Sequence, residues 1–103
     1  MQAINHLWER FLPEIRERVV ILESAASAVT AGKLTEAQRQ EAQSAAHKLA
    51  GTLGTFSLSH GTVLAREAES IYSNEQTGNA ETGKRLAAIA SELHALIESR
   101  RAS

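Results

Sequence analysis

The sequence predicts an all-α fold, an antiparallel up-down-up-down four-helix bundle with a short additional helix at the N-terminus. Apolar residues recur at spacings of three and four along almost the whole chain, which is the repeat of an amphipathic helix. No segment alternates apolar and polar residues in the way that is typical of a strand. Because the helical segments are similar in length and joined by short connections, an antiparallel bundle is the arrangement expected to bury their apolar faces.

The N-terminal part of the chain predicts two helices that meet at a proline. Ile4, Leu7, Trp8 and Phe11 form the short apolar face of the first. Pro13 suits the first turn of the second helix, because the amide hydrogen that proline lacks has no partner there. The apolar seam of this second helix consists of Ile15, Val19, Leu22, Ala26 and Val29. Gly32 follows the seam and fits the cap at which the helix ends.

Three further helices are predicted after this cap. Thr35 and Gln38 have the spacing of a capping box and start a helix with the seam Ala42, Ala46, Leu49, Leu53 and Phe56. Ser57 is predicted as the N-cap of the next helix, which has Tyr72 at its edge and buries Gly61, Leu64, Ala65, Ala68 and Ile71. The polar stretch Ser73–Asn79 predicts a loop before the last helix, whose seam is Leu86, Ala90, Leu93 and Ile97.

Length and composition exclude several classes of function. A chain of 103 residues is expected to form one domain, spanning residues 1–103, around one core. Its 11 basic and 12 acidic residues give a net charge of -1, with no basic patch for nucleic acid. Cysteine is absent, and with it disulfides and thiolate metal sites. Because no signal peptide or membrane-spanning run is recognisable, we expect a cytoplasmic protein without a membrane partner.

His47 lies outside the apolar seam of its predicted helix and is followed by two glycines. On a helical wheel it is about 100° from Ala46, so we expect the imidazole to be exposed. The residues that share its face at helical spacings are Gln40, Gln43, Ala50, Gly51 and Gly54. A glycine costs a helix about 1 kcal/mol relative to alanine. The two glycines either permit close helix packing and prepare the helix to end, or keep the imidazole open to another molecule. Small residues at positions 50, 51 and 54 together favour the second interpretation.

The stretch AHKLAGTLGTF, with REAE further on, resembles the histidine phosphotransfer (HPt) domain, the intermediate carrier of multistep His–Asp phosphorelays. The resemblance covers nearly the whole chain, since it implies an antiparallel four-helix bundle with a short extra helix. It implies that His47 is the phosphoaccepting residue, with Leu49 at the apolar position and Gly51 at the small one. Two positions depart from the family pattern: Ala50 stands where lysine is common, and Ser57 where a second glycine is common.

Glu69 lies opposite His47 in the predicted hairpin. A hairpin that turns near residue 58 brings positions 47 and 69 together, because 58 is their midpoint. The resemblance implies that a Glu or Gln here bonds one ring nitrogen and so fixes which nitrogen attacks. The other interpretation is a solvated glutamate on a helix surface. Lys48, about 100° from His47 around the helix, is the candidate for charge support of the phosphoryl group.

The resemblance implies transfer of a phosphoryl group between aspartate and histidine. His47 is expected to attack a phospho-aspartate of a response-regulator receiver domain and to pass the group to another receiver, including one carried by a hybrid sensor histidine kinase. The expected docking surface consists of Gln40, Gln43, Ala50, Gly51 and Gly54. Because the sequence shows neither an acidic cluster for Mg²⁺ nor an ATP-binding loop, we expect no cofactor on this chain. The resemblance implies that Mg²⁺ is bound by the receiver. The chain would then be a phosphorylated carrier and not a kinase.

Two alternatives stay open at this point. The same bundle is compatible with a non-catalytic module that docks a receiver or a partner helix without carrying phosphate, and with a purely structural helical domain. A di-iron bundle is excluded because the required Glu-x-x-His pairs are missing: Ser44 precedes His47 by three residues, and Ser91 precedes His94. We therefore expect no metal site.

Overall fold

The computed structural model describes the backbone of residues 2–74 and 79–102 and the side chains of residues 5–74 and 79–100. These ranges contain four helices and no strand: α1 (Gln2–Thr30), α2 (Glu36–Thr55), α3 (Ser59–Tyr72) and α4 (Ala80–Ala102). Each helix packs against its two neighbours, α1 on α2 and α4, and α3 on α2 and α4. The predicted all-α four-helix bundle is confirmed. Of the predicted loop Ser73–Asn79, residues 75–78 lie outside the described residues.

The core runs the length of the bundle, which measures 44 × 19 × 19 Å. Its largest fully buried side chains come from all four helices: Trp8, Ile15, Val29, Leu49, Leu53, Tyr72, Ile89, Leu93 and Ile97. At one end of the core the rings of Trp8 and Phe56 meet edge to face, 5.1 Å apart, and join α1 to the end of α2. None of the helices, within the ranges given above, is long and apolar enough to cross a membrane.

The prediction of a separate short helix at the N-terminus is wrong, because α1 continues through Pro13. Trp8, Leu12 and Ile15 are all buried, so the apolar face keeps its helical repeat on both sides of the proline. Pro13 removes the backbone hydrogen bond to the carbonyl of Glu9, but both residues are exposed, where water can solvate that carbonyl. Burial of a continuous face outweighs the missing bond. The side chain of Ile4 lies outside the described residues.

The start of α2 is the predicted capping box. The Thr35 hydroxyl accepts a hydrogen bond from the Gln38 amide at 3.1 Å, and the Gln38 side chain accepts one from the Thr35 amide at 3.1 Å. Two amides that lack partners within the helix are satisfied in this way. The sequence pattern therefore located this helix end correctly.

The ends of α1 and α2 share one backbone motif, with glycine in the first and serine in the second. After α1, Gly32 has φ +69° and donates to the Val29 carbonyl, while the Lys33 amide donates to Ala28. After α2, Ser57 has φ 61° and donates to the Gly54 carbonyl, while the Leu58 amide donates to Leu53. Both are Schellman motifs, in which the left-handed residue is usually glycine. Ser57 thus ends α2 and is not the N-cap of α3; Leu58 holds that position, without a side-chain cap.

Replacing Ser57 by glycine is expected to raise the free energy of unfolding by about 1 kcal/mol, because a Cβ atom is strained in the left-handed region. For a domain of this size the melting temperature would rise by roughly 4 °C. Thermal and urea denaturation measure the effect. Ser59→Gly is the matched control, since Ser59 is helical and exposed and glycine there should lower stability slightly. Equal effects of the two substitutions would contradict the strain argument.

The sequence predicted Tyr72 at the edge of α3, but the structure buries it, with 1% of the residue exposed. Burial raises the pKa of its phenol from the ordinary value of 10.0 to about 12. The phenol oxygen has no hydrogen-bond partner within the described residues. The folded chain therefore holds the phenol proton more tightly than the unfolded chain does.

We expect alkaline pH to destabilise the fold through Tyr72. Below pH 10 the phenol is protonated in both states; between pH 10 and about 12 only the unfolded state loses its proton, which favours unfolding. The free energy of unfolding should fall by about 2–3 kcal/mol over that range. Urea denaturation of the wild type and of Tyr72→Phe from pH 8 to 12 separates the loss of stability due to Tyr72 from the loss due to lysine titration. If both proteins lose the same stability, Tyr72 is not the cause.

Candidate functional site

His47 stands on the outer surface of α2, beside α3. Its side chain is 71% exposed, as expected from its position outside the apolar seam. Ala46 and Leu49, its neighbours on the buried side of α2, are completely buried and anchor the backbone that carries it. The imidazole is therefore held on a rigid helix and is open to a partner molecule.

Glu69 of α3 contacts the imidazole of His47. The Nδ1 atom of His47 lies 2.8 Å from Oε2 of Glu69, and the Glu69 side chain is 27% exposed. An ionised carboxylate can only accept a hydrogen bond, so Nδ1 must carry the hydrogen and donate it. In a neutral ring this leaves the lone pair on Nε2, which is the nitrogen able to act as a nucleophile.

Gly51 occupies an open surface one turn after His47. A Cβ atom built on Gly51 meets nothing within 4 Å, and one on Gly54 meets only the Thr62 hydroxyl at 3.6 Å. In contrast, a Cβ on Gly61 would lie 2.9 Å from Leu53, and one on Gly83 would lie 3.2 Å from backbone atoms of α1. Close packing against neighbouring atoms therefore favours glycine at positions 61 and 83. Internal packing gives no reason for glycine at position 51.

Ala50 does not belong to the exposed face on which the sequence placed it. It is 2% exposed, and its carbonyl accepts a 3.3 Å hydrogen bond from the hydroxyl of Thr62 on α3. The reason is angular: at 100° per residue, Ala50 is only about 40° from Ala46 and so shares the buried side of α2. The expected docking surface is therefore corrected by removing Ala50 from it.

The other predicted site residues are distributed around His47. Gln40 is exposed and donates to Glu36 at 3.0 Å, and Gln43 is half-buried one turn before His47. Lys48 is exposed on the side of α2 that faces α1, where it lines a groove of about 350 Å³ between the two helices. Glu69 and Lys48 thus flank His47 from the sides of α3 and α1.

A second histidine–glutamate pair joins α3 to α4. The Nε2 atom of His60 lies 2.5 Å from Oε2 of Glu92, and the His60 side chain is 59% exposed. This pair engages Nε2, whereas His47 engages Nδ1. Because it has a similar exposure, His60 is a matched control for experiments on His47.

Two residues that bond across the interface between α2 and α3 were not singled out by the sequence. Thr62 bonds the carbonyl of Ala50, and Arg39 bonds the carbonyl of Tyr72. Arg39 had a recognisable signal, because it precedes Ala42 by three positions and so falls on the apolar seam. A charged residue on such a seam requires a buried partner.

Metal-binding chemistry has no cluster to support it in the part of the chain that the structure describes. No three His, Cys, Asp or Glu residues are grouped there so that they could hold a metal ion. His47, His60 and His94 each pair with one glutamate carboxylate. What the arrangement at His47 can offer is an exposed, oriented imidazole.

Comparison with known proteins assigns the chain to a family. The family model described as "Hpt domain" matches residues 6–102. The chain is also 38% identical over 66 residues to "Protein RcaC" of Microchaete diplosiphon; the match covers 64% of this chain and 10% of that protein. No solved structure matches significantly. A family match over nearly the whole length, on a four-helix bundle with an exposed histidine, shows that this chain belongs to the Hpt domain family.

Proposed function

We propose that His47 accepts a phosphoryl group from the phospho-aspartate of one receiver domain and passes it to the aspartate of another. Membership of the Hpt family supports a role in phosphotransfer, and receiver domains as the class of partner. The observation that carries the proposal for this residue is the exposed His47 imidazole, oriented through Nδ1 by Glu69. The direction of transfer, from one receiver through His47 to another, is part of the proposal.

The chemistry assigned to His47 is nucleophilic attack by Nε2 on phosphorus. A bond forms between Nε2 and phosphorus, the bond from phosphorus to the aspartyl oxygen breaks, and the aspartate leaves as a carboxylate. The ring keeps its hydrogen on Nδ1 and gains positive charge, which the Glu69 carboxylate 2.8 Å away stabilises. The reverse sequence of steps returns the phosphoryl group to an aspartate. Most of the rate enhancement in such transfers comes from positioning and charge stabilisation.

The surface around His47 is assigned to receiver docking. Gly51 and Gly54 leave the α2 backbone uncovered, so that a receiver can bring its phospho-aspartate close to Nε2. Gln40 and Gln43 extend this surface along α2, and the flexible side chain of Lys48 is the candidate for support of the phosphoryl charge. Mg²⁺ is assigned to the receiver. A carrier without kinase activity of its own, and a cytoplasmic location, stay predictions.

The test is transfer from a phosphorylated receiver. Purified chain is mixed with each member of a panel of receiver domains that were first phosphorylated with a small-molecule phosphodonor. Acid-labile, base-stable phosphate on the chain is the expected result, and chase with an unphosphorylated receiver should remove it. A chain that binds receivers but acquires no label from any of them would overturn the carrier function and leave the docking module. Binding to no receiver would favour the structural domain.

A further inference from the structure

Arg39 is a charged residue that is buried where the first turn of α2 meets the last turn of α3. It is 8% exposed and belongs to α2, eight residues before His47. Its guanidinium donates through Nη1 to the carbonyl oxygen of Tyr72 at 2.5 Å. It also binds the Glu36 carboxylate with two hydrogen bonds, from Nε at 2.9 Å and from Nη2 at 2.5 Å. The guanidinium therefore joins the first turn of α2 to the last turn of α3.

This arrangement gives hydrogen-bond partners to the Tyr72 carbonyl and to the Arg39 guanidinium, which would otherwise be costly to bury. Carbonyls in the last turn of a helix have no partner within the helix, and a cation near them interacts favourably with the helix dipole. A buried guanidinium needs a counter-charge, which the bidentate Glu36 carboxylate provides. The same bonds hold the pKa of Glu36 below its ordinary value. Arg39 is thus fixed in place by Glu36 and bonded to α3.

The bonds between α2 and α3 lie on both sides of the His47–Glu69 pair. Toward the turn at Leu58, Thr62 bonds the carbonyl of Ala50 at 3.3 Å. At the other end, Arg39 bonds the carbonyl of Tyr72, only three residues after Glu69. The axial position of α3 along α2 decides whether the Glu69 carboxylate lies opposite Nδ1. Because hydrogen bonds weaken steeply with distance and angle, a small shift of α3 would break this contact.

We propose that Arg39 is a positioning residue, which holds the last turn of α3 so that Glu69 remains bonded to Nδ1 of His47. The part of this proposal that concerns transfer rests on the proposed function of His47. The part that concerns the imidazole does not, because the tautomer of His47 can be measured without any receiver. Arg39 has no contact with the phosphoryl group in this proposal and acts through Glu69.

The experiment compares Arg39→Met with the wild type by ¹⁵N NMR of the histidine rings at a pH where they are neutral. The wild type is expected to carry the His47 hydrogen on Nδ1, and Arg39→Met to shift it toward Nε2, the intrinsically preferred site. The rate of phosphate acceptance should fall about three- to tenfold. The His60 ring, bonded to Glu92 through Nε2, is the internal reference and should not change.

Arg85→Met is the matched control, because Arg85 also binds a glutamate through two bonds, to Glu67, but joins α3 to α4. It should leave the His47 tautomer and the transfer rate unchanged. Arg39→Lys keeps a donor for the Tyr72 carbonyl and should recover part of both signals. If Arg39→Met does not fold, Glu36→Gln weakens the hold on Arg39 and should produce the same shift in smaller measure.

An unchanged His47 tautomer in a folded Arg39→Met protein overturns the positioning role, as does an equal shift in Arg85→Met. These outcomes are distinguishable from failure of the proposed function. If the proposed phosphotransfer function fails, the wild type takes up no phosphate from any receiver, while the ¹⁵N spectra still show whether Arg39 controls the His47–Glu69 contact.

Discussion

The His47→Gln variant is expected to accept no phosphoryl group above background from a receiver that labels the wild type. The loss of rate should be about a thousandfold or more, because a glutamine amide has no nucleophilic nitrogen lone pair. The fold should be unaffected, since the His47 side chain is 71% exposed and does not belong to the buried core. Labelled phosphate on the chain, followed over time after mixing with the phosphorylated receiver, measures the effect.

His60→Gln is the matched control for this substitution. It removes an exposed histidine of similar environment, paired with Glu92 instead of Glu69, and should leave phosphate acceptance unchanged. Receiver binding by His47→Gln should also persist, because the docking surface on α2 is intact. Label that remains on His47→Gln and disappears from His60→Gln would mean that the second histidine is the acceptor.

The fold was predictable to the extent that helix formation depends on local patterns. The capping box at Thr35 and the glycine cap at Gly32 are short-range features; the first starts α2 and the second ends α1 where the sequence predicted. The helix boundary predicted at Pro13 was wrong. Proline does cost a helix a backbone hydrogen bond, but burial of Trp8 and Ile15 on one continuous face outweighs that cost. Ser57 misled in a different way, since serine is common at N-caps and uncommon in the left-handed position it occupies.

The candidate site was partly predictable for a geometric reason. Two antiparallel helices joined by a tight turn pair positions that are equidistant from the turn, which placed Glu69 opposite His47. The burial of Ala50 also follows from the helical repeat, so the prediction that Ala50 lies on the exposed face of α2 was wrong on geometric grounds alone. The partner of Arg39 across the interface required the structure, because it is a backbone carbonyl at the end of α3 and no residue type marks a carbonyl.

Gly51→Gln is expected to stabilise the fold and to impair transfer at the same time. A Cβ at position 51 meets nothing within 4 Å, so glutamine removes the cost of a helical glycine and should raise the free energy of unfolding by about 0.5 kcal/mol. The same side chain would stand one turn from His47, on the surface where we propose that the receiver docks. Phosphate acceptance should therefore fall about a hundredfold, because a misplacement of about 1 Å at the reacting atoms has an effect of that order.

A graded series separates obstruction from a change in the helix. Gly51→Ala should give the larger gain in stability, about 1 kcal/mol, with little loss of transfer, since one methyl group scarcely obstructs a partner. Ala88→Gln places the same glutamine on an exposed position of α4, a helix that packs on α1 and α3, and should not affect transfer. Denaturation and transfer assays on the same samples measure both quantities.

A gain in stability together with a loss of transfer would distinguish a glycine kept for a partner from a glycine kept for internal packing. A glycine kept for internal packing would lose stability when replaced, as we expect at Gly61, where a Cβ would lie 2.9 Å from Leu53. At Gly51 the chain accepts a less stable helix with no gain in packing, which agrees with the proposal that a receiver docks beside His47. If Gly51→Gln stabilises the bundle and transfers phosphate normally, the open surface is not where the receiver docks, and a different face of α2 must bring the phospho-aspartate to Nε2.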